Sequence, residues 1–130
     1  MDNKICLDTD FIVDFLRNKK EEAEFIKENE DKDIATTYIN VFELYYGAYK
    51  SAEKDANLNA ISLLLNRMSI LNFSDESVRK AAEILAKLGK KGELIEFRDL
   101  FIGTMALVNK YSIKTKNIRH FSKIEGLHIL

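Results

Sequence analysis

Three acids stand against the pattern of the residues around them. Asp8 ends the apolar run Ile5-Cys6-Leu7, Glu43 is the only charge within the run from Tyr38 to Tyr49, and Asp99 sits among Phe97, Leu100, Phe101 and Ile102. An unpaired carboxylate in such surroundings is costly, because burial strips its water away. Each acid therefore needs either a basic partner, for which Arg98 and Lys4 are at hand, or a shared cation. Hard divalent ions such as Mg2+ and Mn2+ take oxygen ligands of this type. Capping is the plainer role for the neighbours of Asp8. Thr9 or Asp10 would accept from the free N–H groups of a helix that starts at Phe11. Capping leaves Asp8 itself unexplained.

The elements that must position these acids follow from hydrophobic spacing. Residues 4–7 form a short buried strand, and Phe11, Ile12, Val13, Phe15 and Leu16 then recur as on a helix. Asp8 thus falls at the carboxyl end of a strand, where open α/β sheets carry their chemistry. Residues 20–29 make a charged, solvated helix and 34–37 a second strand. The helix over 38–49 is apolar on nearly every face, so it is buried on most sides or lies at a subunit interface. A helix over 51–67 turns Ala56, Ala60, Ile61, Leu63, Leu64 and Leu65 inward, and 69–73 is a third strand. Ser74 opens a helix to about Leu88 whose acidic first turn suits the helix dipole. Gly89-Lys90-Lys91-Gly92 is a flexible basic loop, and a helix spans 97–111. Residues 112–115 are a fourth strand, 118–122 a turn of helix and 127–129 a fifth strand. Strands alternating with helices imply a mostly parallel sheet with helices on both faces.

Composition narrows the function classes. The 130 residues fit one domain, and a hydrophobic share of 46% is enough for a core. A net charge of −1 gives no overall basic field for nucleic acid, though a local patch would escape this count. The single cysteine, Cys6, excludes an intrachain disulfide and reads as a small core residue. Met1-Asp2-Asn3-Lys4 leads into too short an apolar run for a signal peptide, and no stretch is long enough to span a membrane. The expectation is a cytoplasmic protein.

Four segments carry a family resemblance. Leu7-Asp8-Thr9-Asp10-Phe11-Ile12-Val13-Asp14, Val41-Phe42-Glu43-Leu44-Tyr45-Tyr46-Gly47, Arg98-Asp99-Leu100-Phe101-Ile102-Gly103-Thr104-Met105-Ala106 and Lys114-Thr115-Lys116-Asn117-Ile118-Arg119-His120-Phe121 resemble, in order, the four motifs of PIN-domain nucleases of the VapC toxin type. The closing Ile124-Glu125-Gly126-Leu127-His128-Ile129 is also similar, so the resemblance covers nearly the whole chain as a single PIN domain over residues 1–130. It implies an α/β/α three-layer sandwich on a mostly parallel five-stranded sheet, and Mg2+- or Mn2+-dependent endonucleolytic hydrolysis of RNA. Asp8, Glu43 and Asp99 would be catalytic metal ligands. Thr9 and Thr115 would orient ligands or a bound water. A small antitoxin of the VapB type would lay its tail over the acids and offer them a basic side chain, and the protein would be a homodimer.

Asn117 stands where the family often has aspartate; it keeps an oxygen donor and loses the charge. Two Mg2+ ions carry more charge than three acids match. Glu96, three residues before Asp99 on a helix starting near Ile95, would share its face and supply a fourth carboxylate. Its other role is to favour the positive helix N-terminus. Lys90, Lys91, Arg98 and Arg119 are the candidates for RNA phosphate. His120 reads as a packed ring, and Tyr45, Tyr46 and Tyr49 as core or dimer packing.

Other classes share parts of this pattern. Asp8-Thr9-Asp10 is also the D-x-D of haloacid-dehalogenase-type phosphohydrolases, though Ile12 replaces the hydroxyl residue wanted there. Such an enzyme would turn Asp10 into the site. A receiver domain needs an acid at the end of the third strand, and Ile70-Leu71-Asn72-Phe73 has none. A non-catalytic PIN scaffold in RNA processing would not need three intact acids.

Overall fold

In the computed structural model, which describes residues 3–130, the short apolar runs become four strands. They are β1 (Lys4–Leu7), β2 (Asp33–Thr37), β3 (Ser69–Leu71) and β4 (Ser112–Lys114). Met1 and Asp2 of the expected lead-in lie outside the described residues. All strands pair in parallel, in the order β3-β2-β1-β4. Cys6 is paired with Ala35 on one side and Ile113 on the other, and all three are fully buried.

Seven helices complete the described chain: α1 (Thr9–Leu16), α2 (Lys20–Glu28), α3 (Tyr38–Lys50), α4 (Lys54–Leu65), α5 (Asp75–Lys90), α6 (Phe97–Val108) and α7 (Ile118–Phe121). Side chains of a strand alternate between faces. Ile5 and Leu7 of β1 pack with Phe11, Ile12, Leu44 and Ile61, from α1, α3 and α4. Cys6, between them, packs with Ala35, Met105 and Ala106, the last two from α6. Helices therefore cover both faces of the sheet, as the alternation of elements predicts.

Several boundaries differ from expectation. The fifth strand over 127–129 is reduced to one parallel bridge, Ile113 with Ile129, so the sheet has four strands, not five. β4 offers only three residues for pairing, and the returning segment enters from a turn at Gly126, whose φ is +89°. Helix α1 starts at Thr9 rather than Phe11, because Asp8 itself is the N-cap and accepts from the Thr9 N–H. Half of the expected basic loop is helix: α5 runs through Gly89 and Lys90, and the chain leaves it at Lys91 and Gly92, the latter with φ +72°. Ala56 and Leu63 of α4 face outward, not inward. Helix α3 is not buried on most sides. Only Asn40, Leu44 and Ala48 are buried, and Tyr38, Phe42, Tyr46 and Tyr49 are exposed.

Candidate active site

The three acids reach one place from three elements. Asp8 ends β1 and caps α1. Asp99 lies in the first turn of α6, where the N-terminal dipole favours a carboxylate. Glu43 comes from the middle of α3, whose start is fixed by a capping box between Thr37 and Asn40. Asp8 and Asp99 are each 1% exposed, so both need the partners they find.

The principal partner is Arg98. Its Nε donates to Glu43 at 2.6 Å and its Nη2 to the other Glu43 oxygen at 2.8 Å. The same Nη2 donates to Asp8 at 2.8 Å, and Nη1 to Asp99 at 2.7 Å. Burial works against the Arg98 cation, but its bonds to Glu43 and Asp8 outweigh that and raise its pKa above the ordinary arginine value. Of the two explanations open for acids in apolar surroundings, the side chains as they stand show the basic partner. Among the described residues no three acids, imidazoles or thiols are close enough to one another to hold an ion as they stand; the Arg98 guanidinium bonds to all three acids instead. The donor set nevertheless suits a hard divalent ion: it is all carboxylate oxygen, and it already converges on a single cationic group. Three carboxylates against one guanidinium leave an excess of two negative charges.

A second layer of polar groups holds the acids. Thr115 donates to Asp8 at 2.7 Å, and Thr9 donates to Glu43 at 2.6 Å. Asn40, fully buried, donates to Asp8 at 3.0 Å and to the Thr9 hydroxyl at 2.9 Å. His120 Nδ1 lies 3.0 Å from Asp99 Oδ2 and donates there when it carries the proton. The Asn117 amide is 2.9 Å from the same ring nitrogen, so Asn117 touches the acids through His120 and not directly.

Not every residue singled out in the sequence joins the cluster. Glu96 is exposed and stands at the N-cap of α6, in extended backbone and just outside the helix. The helical spacing that would have put it on one face with Asp99 therefore does not apply. Lys90, Lys91 and Arg119 are exposed, and no bond draws them to the acids. Asp10 makes no bond to the Arg98 cluster and accepts instead from the backbone N–H of Phe11 at 2.6 Å and of Lys116 at 3.1 Å. Burial, then the charge of Asp8, raises its pKa above the usual aspartate value. Nothing in its residue type singles out Asn40, and His120, expected as a packed ring, instead reaches Asp99. The Thr37-x-x-Asn40 capping spacing, with Asn40 three residues before Glu43 and hence on its face, was the available signal for the first.

With this geometry the chain is similar to known proteins along nearly its whole length. The PIN domain model matches residues 5–127. Ribonuclease VapC2 of Haemophilus influenzae is 30% identical over 125 residues, covering 95% of this chain and 94% of that one. The tRNA(fMet)-specific endonuclease VapC of Salmonella typhimurium is 27% identical over 126 residues, 97% of this chain and 96% of that one. Among solved structures, VapBC2 from Rickettsia felis, bound to a DNA fragment from its promoter, superposes with a TM-score of 0.88. Its identity is 26%, covering 97% of this chain and 96% of that one.

Proposed function

The chain belongs to the PIN domain family, among its VapC ribonucleases, and from that premise we propose that it is a metal-dependent endoribonuclease, the toxin of a VapB–VapC-type pair. The observation that carries this is the convergence of Asp8, Glu43 and Asp99 on one point at the carboxyl end of β1. These three would hold Mg2+ or Mn2+. The chemistry that such an ion supplies is activation of water and neutralisation of charge on the scissile phosphate. The protein's own part is to hold three carboxylates at one place against their mutual repulsion. Thr115, Thr9 and Asn40 do this for Asp8 and Glu43, and His120 for Asp99. Asn117, which reaches Asp99 through His120, supports the acids from behind, and Glu96, exposed and just outside α6, keeps the role of an acid at the positive helix start. Arg98, Arg119, Lys90 and Lys91 supply positive charge for the RNA backbone.

A haloacid-dehalogenase-like mechanism needs a second Asp in the site, and Asp10 is engaged with backbone N–H groups instead. We further propose a small VapB-type antitoxin as partner, by likeness to the Rickettsia felis complex, and a homodimer as the assembled form. Among the described residues no helix is long and apolar enough to cross a membrane, and we place the activity in the cytoplasm, as a single PIN domain over residues 1–130. The test is cleavage of RNA in Mg2+ by Asp8→Asn, Glu43→Gln and Asp99→Asn proteins, each with folding verified by circular dichroism. Each should lose cleavage, as should the unaltered protein in excess EDTA. Near-normal cleavage by folded Asp99→Asn protein in EDTA would overturn the metal mechanism.

A further inference from the structure

Asp8 accepts four hydrogen bonds, three at Oδ1 and one at Oδ2. Oδ1 accepts from the Thr9 N–H at 2.8 Å, from Asn40 at 3.0 Å and from Arg98 at 2.8 Å, and Oδ2 accepts from Thr115 at 2.7 Å. No buried side-chain nitrogen or oxygen among the described residues lacks a partner. Each buried oxygen of the acids thus has a protein partner without any ion. A cation shared by Asp8, Glu43 and Asp99 must contend with the donors that already crowd Asp8 Oδ1 and span the three acids. The Thr9 N–H belongs to the helix cap, and Asn40 and Thr115 are buried and fixed by further bonds to Thr37 and to the Asn117 N–H. Arg98 is different. It has a long side chain, 29% exposed, and all of its side-chain bonds go to the three acids.

We propose that Arg98 is an internal counter-cation of the active site, which a divalent ion displaces from Asp8, Glu43 and Asp99. This rests on the reading of those acids as the metal site. The guanidinium keeps the acids together when no ion is bound, and it competes with the ion for the same oxygens. Metal affinity is then set partly by the cost of moving Arg98. A displaced Arg98 remains at the edge of the acids as a free cation with a planar fork of donors, the shape that grips a phosphate through two oxygens. The ion and the substrate backbone are thereby coupled through one side chain: the ion releases the group that the phosphate needs.

Two measurements on metal-free full-length protein test this, neither relying on activity. First, Mn2+ binding is measured by calorimetry for the unaltered protein, Arg98→Ala and Asp8→Asn. Removing the competitor should tighten Mn2+ by roughly tenfold to a hundredfold, a typical range for coupling within one protein, while Asp8→Asn should abolish binding. If Arg98→Ala is unfolded without metal, Mn2+ should restore it; failure to refold at saturating Mn2+ would show a role in folding alone and overturn the proposal. Second, arginines of the unaltered protein are labelled with phenylglyoxal and mapped by mass spectrometry. Arg98 should be protected without metal and become reactive on adding Mn2+, while Arg17, Arg67, Arg79 and Arg119 keep their rates. Mn2+ binding that is unchanged in Arg98→Ala, or that leaves Arg98 equally protected, overturns the counter-cation role and leaves the metal site standing. Should the unaltered protein bind no Mn2+ at millimolar concentration, the metal site falls, and the inference with it.

Discussion

At Asp8 the site is decided by single hydrogen bonds. The residue is 1% exposed and its charge is balanced by neighbours rather than by water. Asn40 shows how close this balance is, since one amide serves both Asp8 and Thr9 while its own oxygen accepts from Thr37. Asn40→Ala leaves Asp8 and Thr9 each short of a donor and strands the Thr37 hydroxyl. It should destabilise the protein by about 1–3 kcal/mol, the usual cost of leaving buried polar groups unpaired. Urea unfolding should show this as a lower midpoint at unchanged slope; a midpoint equal to that of the unaltered protein would mean that Arg98 and Thr115 suffice. The three acids were legible in the sequence because a charge inside an apolar run contradicts its surroundings. Asn40 was not, because a neutral polar residue near a helix start contradicts nothing. Arg98 was visible as a basic residue beside Asp99, but adjacency on a chain does not say that one guanidinium spans acids from three elements.

Element by element, what the sequence conveys depends on how many faces a segment buries. Strand β1, buried on both faces, reads as a plain apolar run, and the expected order of strands and helices holds as far as α7. Residues 127–129 have a strand's composition, yet only one bridge forms there. Helix α2 has the charge pattern of a solvated helix, yet its Glu22 is 5% exposed and pairs at 3.4 Å with Lys116, which also holds Asp14. These pairs tie the turn after β4, which carries Thr115, to α1 and α2. Two helical glycines make a sharper test of packing. A Cβ on Gly103 in α6 would lie 2.2 Å from the Ile124 side chain and 3.2 Å from Phe121, both buried, whereas a Cβ on Gly47 in α3 meets nothing within 4 Å. Gly103→Ala should therefore cost about 1–3 kcal/mol through overpacking of α6 against α7. Gly47→Ala should stabilise by about 0.5–1 kcal/mol, the ordinary gain of Ala over Gly within a helix. Thermal melting of the two proteins checks both signs; equal shifts would show that Ile124 yields freely and that the α6–α7 contact is loose.

For the molecule as a whole, the main unmet demand is the outer face of α3. Tyr38, Phe42, Tyr46 and Tyr49 are 55%, 66%, 54% and 65% exposed, and Phe42 stacks on Tyr46 with ring centroids 6.1 Å apart. Their spacing places them along one side of the helix. From sequence alone a helix apolar all round looks the same whether a core or a second protomer covers it; the fold removes the core from that choice. A run of aromatics on a protomer with a net charge of only −1 is poorly suited to remain in water. A two-fold axis would set the same patch of each copy against the other, with aromatic area at its centre as in stable interfaces. The homodimer proposed above should therefore form through α3. Sedimentation should show a dimer of the unaltered protein at micromolar concentration and a monomer for the double variant Phe42→Glu, Tyr46→Glu. Because both side chains already face outward, the variant should keep its far-ultraviolet circular dichroism. A monomer at high micromolar concentration in the unaltered protein would remove the dimer, and a variant that stays dimeric would move the interface away from α3.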